Sequence, residues 1–198
     1  MNRKIYRSFN DESVARLKKG VYTTEDSVRY TFFGILVRDT NLSLHDIVLE
    51  QPHGTIKGAK IDAYFPNFQG NEVIIEFKYD RGIPSGSNSP RSQKAGMLFN
   101  DMKRLLKFRA KTRLPTMRLL IYLTDGEMAS YMRNPRNNLV NFFDLKLGAH
   151  FLLDGSFFKN KSATFKDSAG EVFTARTTCD WSGKLPKKHE LRIYRVEK

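Results

Sequence analysis

Cysteine is almost absent: Cys179 stands alone among 198 residues. A single thiol excludes an internal disulfide and every zinc pattern built on several cysteines, and it suits a reducing, cytoplasmic compartment. Histidine is scarce too. His45, His53, His150 and His189 are scattered, and no HExxH spacing links them. Neither GxxxxGK[ST] nor GxGxxG occurs, which excludes the familiar glycine-rich phosphate loops. No apolar run approaches the roughly 20 residues that span a bilayer, so no membrane association is expected. The opening MNRKIYRSFNDESVARLKKG is charged and has no apolar stretch, so it does not read as a secretory leader. Internal repeats and low-complexity tracts are missing as well.

Acidic residues are in deficit. There are 21 Asp and Glu against 34 Lys and Arg, a formal charge of +13. Such an excess points to a polyanionic partner, most often nucleic acid. Hydrophobic residues at 40% and aromatics at 12% are enough for a true core.

The hydrophobic pattern sets a coarse order of elements. TTEDSVRYTFFGILVRD opens on Thr24 as an N-cap and continues with Val28, Phe32, Ile35 and Leu36 at helical spacing. HDIVLEQP, AKIDAYF and EVIIEFKY read as three closely spaced strands, an antiparallel meander. DRGIPSGSNSPR is a loop. A helix follows over Ser92 to Lys111, with Ala95, Leu98, Met102, Leu105 and Leu106 as its apolar stripe. TMRLLIYLTD is a strand apolar on both faces. A helix is expected from Glu127, and AHFLLDGSFF, EVFTARTT and ELRIYRVE read as further strands. The expected architecture is one α/β domain over 1–198, a mixed central sheet flanked by helices, with an α-β-β-β-α-β core over 22–125 that 126–198 completes.

One stretch conflicts with its surroundings. In VIIEFKYD, Val73 to Asp80, side chains alternate between faces, so Glu76 and Lys78 share a face of a strand that otherwise reads as interior. A buried charge needs a partner or a metal. The preceding strand carries Asp62 amid apolar residues, and pairing of the strands sets Asp62 beside Glu76. Adjacent carboxylates repel, and a divalent cation relieves that. Carboxylate oxygens with open water positions suit Mg²⁺. The competing reading of Glu76 and Lys78 is a salt bridge at a strand edge, and that of Asp62 is a turn-proximal carboxylate capping a backbone amide.

Asp62, a gap, and Glu76-Phe77-Lys78 resemble the D…(D/E)xK signature of the PD-(D/E)xK nuclease superfamily, with Ile61 where the name-giving pattern has proline. Gly58 in GAKID is similar to the family's lead-in to the first of the two strands. The resemblance covers roughly 22–125 and implies a restriction-endonuclease-like fold and hydrolysis of DNA phosphodiesters, in restriction or defence, repair or mobile-element processing. It implies Mg²⁺, with Mn²⁺ able to substitute, on Asp62, Glu76 and the Phe77 carbonyl, with Lys78 assisting the nucleophile or the transition state. The family often adds an acid from the first core helix. Glu25 lies on that helix's core-facing stripe, and complementing the helix dipole is its alternative role. Glu50 is a weaker third acid. The family also places polar residues at the start of the second core helix, where Gln93 and Lys94 stand, and Gly96 permits close packing there. A homodimer is implied where both strands are cut.

Outside the resemblance, the charge pattern suggests where nucleic acid is guided. Lys103, Lys107 and Lys111 follow i, i+4, i+8 on the second core helix, as phosphate contacts or as a solvated face. GKLPKKHELRIYR is a second basic cluster, and the loop from Arg81 to Arg91 suits a flap over substrate. Asp101 and Arg104 read as a pair on the helix surface. Two readings compete with the nuclease: a binding module on the same fold without catalysis, and a structural domain whose charges are only ion pairs.

Overall fold

A computed structural model describes residues 1–81 and 90–198. Its centre is a seven-stranded mixed sheet in the order β1-β2-β3-β4-β7-β6-β5. The strands are β1 (Val48–Pro52), β2 (Lys60–Phe68), β3 (Asn71–Asp80), β4 (Thr116–Thr124), β5 (His150–Leu153), β6 (Ala175–Lys184) and β7 (Glu190–Glu197). β1, β2 and β3 form an antiparallel meander, β4 runs parallel to β3, and β7 returns antiparallel to β4. The helices are α1 (Arg3–Lys18), α2 (Glu25–Asp39), α3 (Arg91–Lys107), α4 (Gly126–Arg133), α5 (Val140–Phe143), α6 (Gly155–Lys159) and α7 (Ala163–Ala169).

The alternation of β3 divides the core in two. Val73, Ile75 and Phe77 pack on one face with Phe9 of α1 and Phe32, Phe33 and Leu36 of α2. Ile74 packs on the other with Leu98, Phe99, Met102 and Leu105 of α3, joined by α4 to α7. Helices therefore cover both faces, as a sheet buried on each side requires. Gly96 is where α3 meets α7: a Cβ there would lie 2.4 Å from the Phe165 carbonyl. Among the described residues, no helix is long and apolar enough to cross a membrane.

From α2 to β4 the observed order is the α-β-β-β-α-β read from the sequence. Several local expectations are corrected. α1 was not anticipated, although Asn2 caps it by accepting from Ile5 N. HDIVLEQP begins with a 3₁₀ turn at Leu44–Asp46 before β1, because Ser43 and Asp46 form a reciprocal capping box. AHFLLDGSFF is half strand and half helix, since Asp154 accepts from Ser156 N and Phe157 N and starts α6.

The second core helix is shorter than expected. It stops at Lys107 because Phe108 turns extended and seats its ring against His53 and Tyr64, with centroids 5.7 and 5.8 Å away. Lys111 therefore lies beyond the helix, and the stripe of three lysines does not form. The loop expected to act as a flap falls largely in residues 82–89, outside the described residues.

Candidate active site at the fork between two strands

The β2–β3 ladder ends at Ala63 opposite Ile75. Beyond that pair the strands diverge. Ile61 pairs outward with Gln51 of β1, while β3 continues beside β4 as far as Asp80 opposite Thr124. Continuing the register brings Asp62 opposite Glu76 at the mouth of this fork. The parting strips β3 of partners along one edge, and two carboxylates replace them. Asp62 Oδ2 accepts from Phe77 N at 2.8 Å, and Glu25 Oε2 accepts from Tyr79 N at 3.0 Å. Glu25 can reach because α2 starts there: Thr24 caps the helix by accepting from Ser27 N, placing Glu25 in its first turn. A strand residue's N–H and C=O point the same way, so the Phe77 carbonyl also faces the fork.

The carboxylates are gripped by arginines. Glu76, fully buried, accepts from Arg104 Nε at 3.1 Å and Nη2 at 2.7 Å, a bidentate pair. Asp62 Oδ1 accepts from Arg29 Nη2 at 2.9 Å. Arg29 also reaches Glu50 at 3.3 Å. Glu50 holds a left-handed backbone, φ 53°, within an edge strand, and this strained conformation swings its carboxylate to Arg29 rather than into the fork. Asp101 of α3 pairs with Arg104 at 3.4 Å but is buried, so this pair belongs to the interior and not to the helix surface.

Acid is in surplus. Glu25, Asp62, Glu76, Asp80 and Asp101 share this region with Arg29, Lys78, Lys94 and Arg104. Burial, then the charge of Asp62, lifts the Glu76 carboxyl well above the usual range. Burial also raises Glu25, and it pushes Asp80 up to about 7 and Asp101 up to about 6. Asp80 Oδ2 is buried without a hydrogen-bond partner. Lys78 answers in the opposite sense: burial works to lower its pKa, but Asp101, Asp80 and Glu25 outweigh it and raise it. Lys78 thus stays protonated. Among the described residues it carries no hydrogen bond or close ion pair, whereas Arg29 and Arg104 are committed to carboxylates and Lys94 donates to the Arg81 carbonyl at 2.7 Å.

The donor set is all oxygen and surplus in negative charge, which suits Mg²⁺ or Mn²⁺ in kind. It is not drawn tight. Among the described residues, no group of three or more His, Cys, Asp or Glu side chains is close enough to hold a metal ion. Closing around an ion requires Arg29 or Arg104 to release its carboxylate.

The structure brings Asp62, Glu76, Lys78 and Glu25 to one place, with Phe77 between them. Gln93 and Lys94 lie half-buried in the first turn of α3, and Arg81 stacks over Tyr22 with its guanidinium 4.6 Å from the ring centroid. Lys103 does not face a substrate: it is buried against α7 and donates to the Ala169 carbonyl at 2.9 Å. Lys107 pairs with Glu171.

Sequence reasoning missed Arg29 and the role of Arg104. Arg29 stands four residues after Glu25 on one helical face, a spacing that was available to read. It also missed His53, which accepts from Ile56 N at Nδ1 and therefore donates from Nε2 to the Arg104 carbonyl at 2.8 Å, bracing the β1–β2 loop against α3. No sequence signal marks that bond.

Comparison of the chain with protein-family models, curated proteins and solved structures finds no match.

Proposed function

We propose that this protein is a metal-dependent nuclease of the PD-(D/E)xK type, on a restriction-endonuclease-like α/β/α fold, that hydrolyses DNA phosphodiester bonds. The observation that carries this reading is Lys78: a protonated cation, without a hydrogen bond or close ion pair among the described residues, set among carboxylates where two strands part. Asp62, Glu76 and the Phe77 carbonyl would hold the ion, with Glu25 as a further acid. When bound, Mg²⁺ or Mn²⁺ supplies Lewis acidity and lowers the pKa of water. Lys78 places positive charge where the phosphoryl group gains negative charge. Asp62 and Glu25 keep the edge of β3 in place by accepting from Phe77 and Tyr79. The charge of +13 favours a nucleic-acid substrate over a small phosphoester.

A second reading has its own observation. The bidentate Arg104–Glu76 pair and the Arg29–Asp62 pair fill the positions a metal needs, as expected of a nucleic-acid-binding module without catalysis. Incubating the protein with supercoiled plasmid and linear single-stranded DNA in Mg²⁺, Mn²⁺ or EDTA separates the two. Metal-dependent cleavage that Lys78→Ala abolishes is expected. DNA binding without cleavage on any substrate in either metal favours the module.

A further inference from the structure

We propose that the surface leading away from the fork is a platform for single-stranded nucleic acid, built on Tyr22 and Arg81 and extended by the β6–β7 turn. This rests on the reading of the fork as a nuclease site and assigns its substrate class. Tyr22 is 69% exposed. The Arg81 guanidinium lies over its ring at 4.6 Å and bonds to its hydroxyl, and it reaches the ring of Tyr79 at 5.9 Å. Tyr22 and Arg81 thereby form an exposed aromatic–guanidinium pair, on which an unpaired base can stack and a base inside a duplex cannot. Tyr79 connects this platform to the fork through its N–H, which Glu25 accepts.

The same Tyr79 connects it to a basic turn. Its hydroxyl meets His189 Nε2 at 3.0 Å, and His189 Nδ1 meets the Pro186 carbonyl at 3.1 Å. In this turn Lys187 and Lys188, both exposed, hold left-handed backbone in succession, φ 56° and 60°. Two neighbouring non-glycine residues in that region carry strain of about 1–2 kcal/mol each. Neither lysine has an ion pair among the described residues. They line a hollow of about 530 Å³ with His189, Asp125 and the Arg91–Glu127 pair, so cations outnumber carboxylates there. The turn carries two exposed ammonium groups next in sequence to His189, which bonds to Tyr79, and such cations suit the phosphates of a strand leaving the stacked base. Lys187 also approaches the end of α1 at Gly20, so its structural contribution must be measured separately.

The test is fluorescence anisotropy in EDTA, where no cleavage occurs, with labelled dT20, rU20 and a blunt 20-base-pair duplex. The wild type is expected to bind a single strand at least tenfold more tightly than the duplex. Tyr22→Ala should weaken single-strand binding about tenfold and leave duplex binding unchanged. Lys187→Gly and Lys188→Gly should raise Tm by relieving strain while reducing single-strand affinity and its salt dependence. Duplex preference in the wild type, or a Tyr22→Ala variant with unchanged single-strand affinity, overturns the proposal. A fall in Tm for both glycine variants with unchanged affinity overturns the role of the turn. Binding is read in EDTA and metal-dependent cleavage by the wild type in a separate assay, so loss of the nuclease reading and loss of the platform are seen separately.

Discussion

Glu72 and Glu76 stand on the same face of β3, two strand periods apart, and both are fully buried. Their surroundings differ completely. Glu72 accepts from the Tyr64 hydroxyl at 3.0 Å, Lys111 N at 2.7 Å, Thr112 N at 3.2 Å and the Thr116 hydroxyl at 3.0 Å. These are neutral donors aimed at one carboxylate, and they fold the segment after α3 back onto the sheet. Glu76 has one charged partner, Arg104, and its pKa is pushed up first by burial and then by the charge of Asp62. Burial of a charge is therefore not the mark of a site here. The mark is burial with more negative charge than the protein itself neutralises.

The comparison can be broken at several points. The largest effect is expected on cleavage: Glu76→Gln and Lys78→Ala should each lower its rate by about 10³-fold while circular dichroism and urea unfolding show the fold retained. Glu72→Ala should do the reverse. It strands several buried donors and should cost about 3 kcal/mol of unfolding free energy, read from urea denaturation, while activity per folded molecule is kept. A Glu72→Ala protein as stable as the wild type would erase the distinction.

Next in size is a pH effect. Asp80 and Asp101 have folded-state pKa values of about 7 and about 6, above the ordinary carboxyl range. The native state therefore holds more protons than the unfolded state between pH ~4 and ~7. Their stabilising contribution is full below that window and is lost as pH rises through it. In EDTA, unfolding free energy should fall by about 2 kcal/mol from pH 4.5 to 8, taking a discounted fraction of the 1.36 kcal/mol per pKa unit. The double variant Asp80→Asn, Asp101→Asn should flatten this slope. Stability that rises across the window, or a slope the double variant does not alter, would contradict the charge surplus. The smallest effect is expected at Lys107→Gln. Lys107 and Glu171 are an exposed pair, so stability should move by less than about 0.5 kcal/mol and cleavage should be unchanged.

Much of this was legible in the chain because strand alternation is strict. Period two places Glu76 with Lys78, and a short meander places Asp62 opposite Glu76. Thr24 followed by an apolar helical stripe located α2 and put Glu25 at its first turn. The remainder was not legible because it depends on long-range reach. Arg104 looked like half of a surface pair with Asp101, and nothing local shows its guanidinium turning to β3. Lys103 read as a surface cation because α7, which buries it, lies far along the chain. The end of α3 was missed because Phe108 leaves the helix for a tertiary contact with His53 and Tyr64, against its own propensity.

The central claim is that the Glu76 end of β3 is built to receive a cation and the Glu72 end is not. Isothermal titration of Mn²⁺ into wild type, Asp62→Asn and Glu76→Gln at pH 8 tests it most directly. The account predicts saturable binding to the wild type that weakens at least tenfold in both variants. Absence of binding to the wild type, or the same affinity in all three proteins, would contradict it.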